Sequence, residues 1–161
     1  MQEKYQGRYS SVPETQEHIK KVYENISKVM VELMARAKQH DQTKMKHGEV
    51  EYFDEYTPML ASCTYGSDEY KQFLKNLEPA LIHHYAMNRH HPEHFKNGIK
   101  GMNLIDILEM FCDWYAATKR HNDGDIMRSI KINQERFNYS DDLKAIFENT
   151  FNDIFVENPN G

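Results

Sequence analysis

The sequence predicts an all-α protein, a compact helical bundle. Three features predict it. Apolar residues recur every three or four positions over long stretches. No stretch alternates with period two for long enough to form a strand. Serines suited to N-caps stand directly before helical stretches, at Ser11, Ser67 and Ser140.

Residues 1–12 are polar and read as a loose lead-in. Ser11 caps the first helix, and Pro13 falls in its first turn, where a missing N–H costs nothing. From Glu14 to about Gln39 the apolar residues are Ile19, Val22, Ile26, Val29, Met30, Leu33, Met34 and Ala37, with no Gly or Pro to interrupt them. The helix should stop near His40-Asp41, where the chain turns polar and Gly48 follows. A second helix covers about Glu49 to Ala61, with Pro58 near its end. Thr64 to Ser67 form a turn. Residues 68–88 are helical, with Leu74, Leu77, Leu81 and Tyr85 on one side, and Pro79 predicts a kink or a restart there. His84 follows Leu81 by three residues and Leu77 by seven, so it points inward with them; His83 lies about 100° round the helix. Residues 89–102, with Pro92, Gly98 and Gly101, read as a loop. A helix from Asn103 to His121 presents Leu104, Leu108, Phe111 and Tyr115. Asn122 to Gly124 form a turn, a fifth helix spans Asp125 to Phe137, and Ser140 caps a last one through about Phe155. Residues 13–156 are expected to be one domain, with 157–161 a frayed tail.

Composition narrows the class. A chain of 161 residues is long enough to bury a core, and ten Tyr, eight Phe and one Trp supply material for it. The net charge of −5 argues against a general binder of long nucleic acids. Cys63 and Cys112 lack metal-motif spacing and read as reduced core thiols. No apolar run approaches the roughly 18 residues of a membrane span, and the N-terminus lacks a signal-peptide layout. A cytoplasmic protein without membrane partners is expected; the oligomeric state, including a homodimer, is left open.

The chemistry concentrates in HHYAMNRHHPEH, residues 83–94, which holds five of the nine histidines: His83, His84, His90, His91 and His94. Imidazole is the commonest metal ligand in proteins. His40-Asp41 sets a nitrogen ligand and a carboxylate side by side at a helix end, and Lys44 completes the pattern HDxxK. Asp106, Glu109 and Asp113 recur at i, i+3 and i+7. Asp113 sits between Cys112 and Trp114, where a carboxylate is costly unless paired or metal-bound. Glu49 reads as a general base or a solvated helix-start carboxylate. Asn88 and Arg89 are candidate substrate contacts, Arg as a phosphate fork. His94 is a supporting or substrate-binding residue, and Lys100, Arg120 and Arg128 are looser candidates for substrate charge.

The order His-Asp with a following Lys, then His, His-His, and Asp inside a helix resembles the HD-domain superfamily of metal-dependent phosphohydrolases. The run HHPEHFKNGIKGMNLIDILEMFCDWYAA looks like the corresponding segment of its HD-GYP branch, without the GYP signature itself. The whole chain, through HDxxK, TYGS, PALxHHY and NRHHPEHF, also resembles a small bacterial and phage family of unknown function. The first resemblance implies an HD-like fold with His40, Asp41, His84, His90, His91 and Asp113 as metal ligands. Lys44 matches the lysine of HDxGK, with Thr43 in place of the glycine. The superfamily's earlier histidine has only His18 to match it. Yet 22 residues of unbroken helix would put His18 roughly 33 Å from His40. His83 and Asp106 are further ligand candidates.

The expected function is hydrolysis of a phosphoester or phosphoanhydride, most naturally in a nucleotide. It would use one or two divalent ions (Mn, Fe, Co, Ni or Zn, with Mg an option) and a metal-activated water. Asp41 would bridge a pair of ions, Lys44 and Arg89 would neutralise phosphate oxygens, and Glu49 would take or relay a proton. The alternatives are a di-iron oxygenase of the HD type, a non-catalytic helical module that binds a nucleotide or a partner protein, and a purely structural protein.

Overall fold

The computed structural model of the chain describes residues 10–63, 67–119 and 124–156, the side chains of Ala61 and Tyr70 excepted. Among them are six α-helices and no strand. The helices are α1 (Val12–Gln39), α2 (Val50–Ser62), α3 (Asp68–Met87), α4 (Leu104–Thr118), α5 (Ile126–Phe137) and α6 (Asp141–Ile154). The expected turns at 64–66 and 122–123, the lead-in at 1–9, Arg120 and the tail at 157–161 lie outside the described residues. The chain divides at Lys38/Gln39 into two units, where the sequence reading takes 13–156 as one domain. No helix among the described residues is long and apolar enough to cross a membrane.

The first unit is built on α1, which is unbroken as its periodicity predicts. None of its residues is buried. Its apolar stripe is open to solvent, Ile19 at 60% and Val29 at 50%.

The second unit holds the core and every residue of the site described below. Met110 and Phe111 of α4, Ile126 and Ile130 of α5, Tyr139, and Phe147 of α6 form a buried cluster. Phe111 stacks on Phe147 at 5.3 Å, and Trp114 meets Phe147 edge-on at 5.6 Å. The Tyr139 hydroxyl donates to the Ile130 carbonyl at 2.6 Å, so its buried polar end is satisfied. The helix ends follow the sequence. The Ser140 hydroxyl accepts from the Leu143 N–H, and Asp125 accepts from Met127 N–H. Asn103 and Asp106 close a capping box at the start of α4. The Asn138 backbone is left-handed at the end of α5.

Three expectations are corrected. Of the kink or restart expected at Pro79, the restart does not occur: one helix runs through it, with Leu77 and Ala80 on either side buried and holding the segment in place. The stretch 89–102 is not all loop, since Pro92–His94 and Gly98–Gly101 wind into 3-10 turns. Both cysteines are free, but neither is a core thiol. Cys63 is half-buried and Cys112 exposed, because α4 turns Met110 and Phe111 inward instead.

The aromatic stack sets the first test. Phe147→Ala removes the ring against which Phe111, Trp114 and Tyr139 pack. It should cost about 3–5 kcal/mol of unfolding free energy, read as a lowered urea midpoint.

Candidate metal centre

Each element delivers its ligand for a local reason. Asp41 takes a left-handed backbone, φ 57°, which Asp tolerates better than most residues. It stands two residues past the end of α1 and leads into a 3-10 turn, Gln42–Met45. α3 buries Leu77, Ala80 and His84 on one face, as the spacing predicts. Asn88 ends that helix, its amide donating to the His84 carbonyl at 2.8 Å. The chain then turns, and Pro92 forces His91 into extended backbone. The His90 and His91 rings lie 4.1 Å apart as a result. α4 contributes Glu109 and Asp113, one turn apart on one face.

These residues form two groups able to hold a metal ion: Asp41, His84, His90 and His91, and His40, His90 and Asp113. Within each group the donor atoms lie within 4.8 Å of one another. In the first group four atoms are buried and complete no hydrogen bond of normal geometry: Asp41 Oδ1, His84 Nε2, His90 Nε2 and His91 Nε2. Two of the nitrogens nonetheless stand 3.1 and 3.5 Å from Asp41 Oδ1. Two ligands bound about 2.1 Å from one ion at near-tetrahedral or octahedral angles stand roughly 3.0–3.4 Å apart, so the spacing fits a shared cation. In the second group His40 Nε2 is 3.6 Å from both Asp113 Oδ1 and Asp41 Oδ2.

On the far side of the rings, the Nδ1 atoms of His84, His40 and His90 meet two buried carboxylates. His84 Nδ1 donates to Glu49 Oε2 at 2.9 Å, and exposed His83 donates to Glu49 Oε1 at 2.6 Å. Thr43 adds its hydroxyl to Glu49 Oε2 at 3.0 Å and accepts from the Asn88 amide at 2.9 Å. Glu109 Oε1 receives two imidazoles, His40 Nδ1 at 2.9 Å and His90 Nδ1 at 3.1 Å. A carboxylate accepts only, so it fixes the proton on Nδ1 and turns the Nε2 lone pair inward, as metal-binding histidines require.

The electrostatics set two of the imidazoles apart: without a cation His40 keeps a proton on each nitrogen at neutral pH, so it would release one on binding, whereas His91 is neutral. Burial works to raise the Asp41 carboxyl, but contact with His84 and with the Lys44 ammonium outweighs it and holds Asp41 well below the usual carboxylate range. Lys44 Nζ donates to Asp41 Oδ2 at 2.6 Å. Burial likewise pushes Asp113 up, and its hydrogen bond with His40 more than offsets this, so it too is lowered. Hydrogen bonds with Asp113 and Glu109 push His40 up to about 10. Burial, reinforced by His90 and His84, pushes His91 down to about 3, so it is neutral at ordinary pH.

The six ligands expected from the sequence thus come together, and Lys44 stands beside them. Others do not serve as expected. Glu49 is neither solvated nor turned to the donor cluster; it is fully buried as the acceptor behind His84. Arg89 is no free phosphate fork, because Asp106 holds it in two bonds of 3.0 and 2.9 Å. Asp106 is accordingly an ion-pair and capping residue and belongs to neither metal-ion group. Asn88 is buried against Thr43 and His84 rather than offered to a substrate. His94 donates to the Tyr85 carbonyl at 3.1 Å. His18 and His83 belong to neither group. Lys100 and Arg128 carry no contact to the cluster. Glu109 was one of several helix carboxylates in the sequence; its i−4 spacing from Asp113 was the signal for its role. Thr43 gave no signal beyond standing inside HDxxK.

Fold and site together define an all-α protein with a His/Asp cluster that could hold a metal ion. The chain belongs to a family of unknown function (DUF5662), whose sequence profile matches residues 8–153. No curated protein and no solved structure matches it.

Two tests follow from the carboxylate–imidazole pairs. Glu109→Gln should weaken zinc or manganese affinity about 10–100-fold in a chelator competition titration, with far-UV helicity kept. His40 sets the pH response of the metal-stripped protein. Its folded value is raised from 6.5 to about 10, so its contribution is complete below pH 6.5 and lost as pH climbs through 10. Calorimetry in EDTA should show the melting temperature falling over that window, and His40→Gln should flatten the fall.

Proposed function

We propose that this chain is an HD-like, metal-dependent hydrolase of a phosphoester or phosphoanhydride bond in a nucleotide or related compound. The observation that carries this reading is the convergence of four buried donor atoms, on Asp41, His84, His90 and His91, that find no hydrogen-bond partner. Buried polar atoms are nearly always satisfied, and four facing one another fit a cation as their partner. The sequential order of these residues, with Lys44 and Asp113, supports the HD likeness.

Asp41, His84, His90 and His91 would hold the ion, and His40 and Asp113, together with His90, would hold a second. Three imidazoles and one carboxylate suit Zn, Fe, Mn, Co or Ni better than Mg, which prefers oxygen. A divalent ion in such a site supplies a nucleophilic water near neutral pH and polarises a phosphoryl oxygen. Lys44, beside Asp41 with its side chain 32% exposed, brings positive charge to phosphate oxygens at the edge of the cluster. Glu49 and Glu109 orient the imidazoles.

The test is elemental analysis of the purified protein beside Asp41→Asn, followed by a phosphate-release screen over mono-, tri- and cyclic nucleotides. Asparagine keeps the left-handed backbone and removes the charge. We expect at least one transition-metal ion per chain in the wild type, roughly tenfold less in the variant, and metal-dependent phosphate release that the variant loses. Bound metal without phosphate release would remove the hydrolase. Iron with oxygen uptake would replace it by the di-iron oxygenase alternative. Metal-free wild type would remove the centre.

A further inference from the structure

Ile19, Val22, Ile26, Val29 and Leu33 succeed one another at intervals of three, four, three and four along α1. Val12 continues the series one heptad earlier. A mean spacing of 3.5 keeps the stripe facing a second helix along its whole length, whereas a 3.6 period suits a curved domain surface. The helix has 28 residues, about 42 Å at 1.5 Å per residue. Four of the five stripe residues are open to solvent, Ile19, Val22, Ile26 and Val29 at 60, 41, 54 and 50%, and Leu33 is half-buried.

We propose that α1 is the interface between two copies of this chain, paired helix against helix. The area is adequate. Seven side chains, those five with Tyr23 and Met30, offer about 80 Å² each, or roughly 1,100 Å² over two copies, close to the lower bound for a specific interface. Charge decides the orientation. Residues 12–25 carry Glu14, Glu17 and Glu24 against Lys20 and Lys21, a net of −1. Residues 26–39 carry Lys28, Arg36 and Lys38 against Glu32, a net of +2. A parallel, in-register pair sets each residue against itself and brings Arg36 onto Arg36 three residues past Leu33. An antiparallel pair sets the acidic half against the basic half and opposes the helix dipoles. The two copies therefore run antiparallel, with Ile26 near the midpoint and the acidic half of each helix beside the basic half of the other.

Sedimentation of the full chain at micromolar concentration tests this. The wild type should sediment at twice 19.1 kDa. The double variant Ile26→Glu/Val29→Glu should sediment as the monomer with unchanged far-UV helicity and metal content. Lys28→Glu/Lys38→Glu, surface changes that leave the stripe intact and take residues 26–39 from +2 to −2, should raise the dimer dissociation constant, and adding Glu14→Lys/Glu24→Lys, which takes residues 12–25 from −1 to +3, should restore it. A monomeric wild type, or a dimer indifferent to the stripe substitutions, overturns the interface. Failure of the paired reversal to restore association overturns the antiparallel arrangement.

Discussion

A neutral imidazole has one N–H and one lone pair, and the centre depends on which nitrogen carries which. Glu49 and Glu109 decide it. Each buried carboxylate takes the Nδ1 protons of two histidines, His83 and His84 for Glu49, His40 and His90 for Glu109. The Nε2 atoms of His84 and His90 are thereby left facing Asp41. With a hydrophobic residue in place of either glutamate, the rings could rotate or change tautomer, and the donor set would lose its common focus. Burying Glu49 is costly in itself; His83, His84 and Thr43 compensate by filling its oxygens.

The surrounding framework holds these groups in register. Gly48, at φ 99°, makes the turn that brings Glu49 inward at the start of α2. Arg89, immediately before the His90-His91 turn, is forked onto Asp106, one turn before Glu109. Asp106 also closes the cap of α4 through the Asn103 N–H. A single ion pair thus ties the histidine turn to the helix that bears its acceptor. Such a pair is not a source of net stability so much as a constraint on geometry.

The helices were legible in the sequence because period 3.6 and a cap such as Ser140 act locally. The ligands were legible because histidine at such density, and Asp113 between Cys112 and Trp114, are hard to explain as surface. The supporting residues were not. A glutamate's one-letter code is the same whether it faces water or accepts from a buried imidazole, and Glu109 meets His40 across 69 positions of chain. Arg89 was read as a free cation for the same reason, since its partner is 17 residues on. Pro79 permits a kink or a restart in the sequence, which records the lost hydrogen bond but not the packing that carries the helix past it. The stripe of α1 was plain as a stripe; what it meets is a property of the assembly, which periodicity does not name.

The left-handed backbone at Asp41 restricts how this protein can drift. From an aspartate codon one base change reaches asparagine or glycine, which keep the bend and lose the charge. Another reaches glutamate, which keeps the charge but carries a longer side chain into a conformation it resists. No neighbour in the genetic code preserves both. Chains that keep the fold and drop the charge should therefore show asparagine or glycine here, and on the proposed metal-binding reading position 41 would mark which copies can still hold a cation.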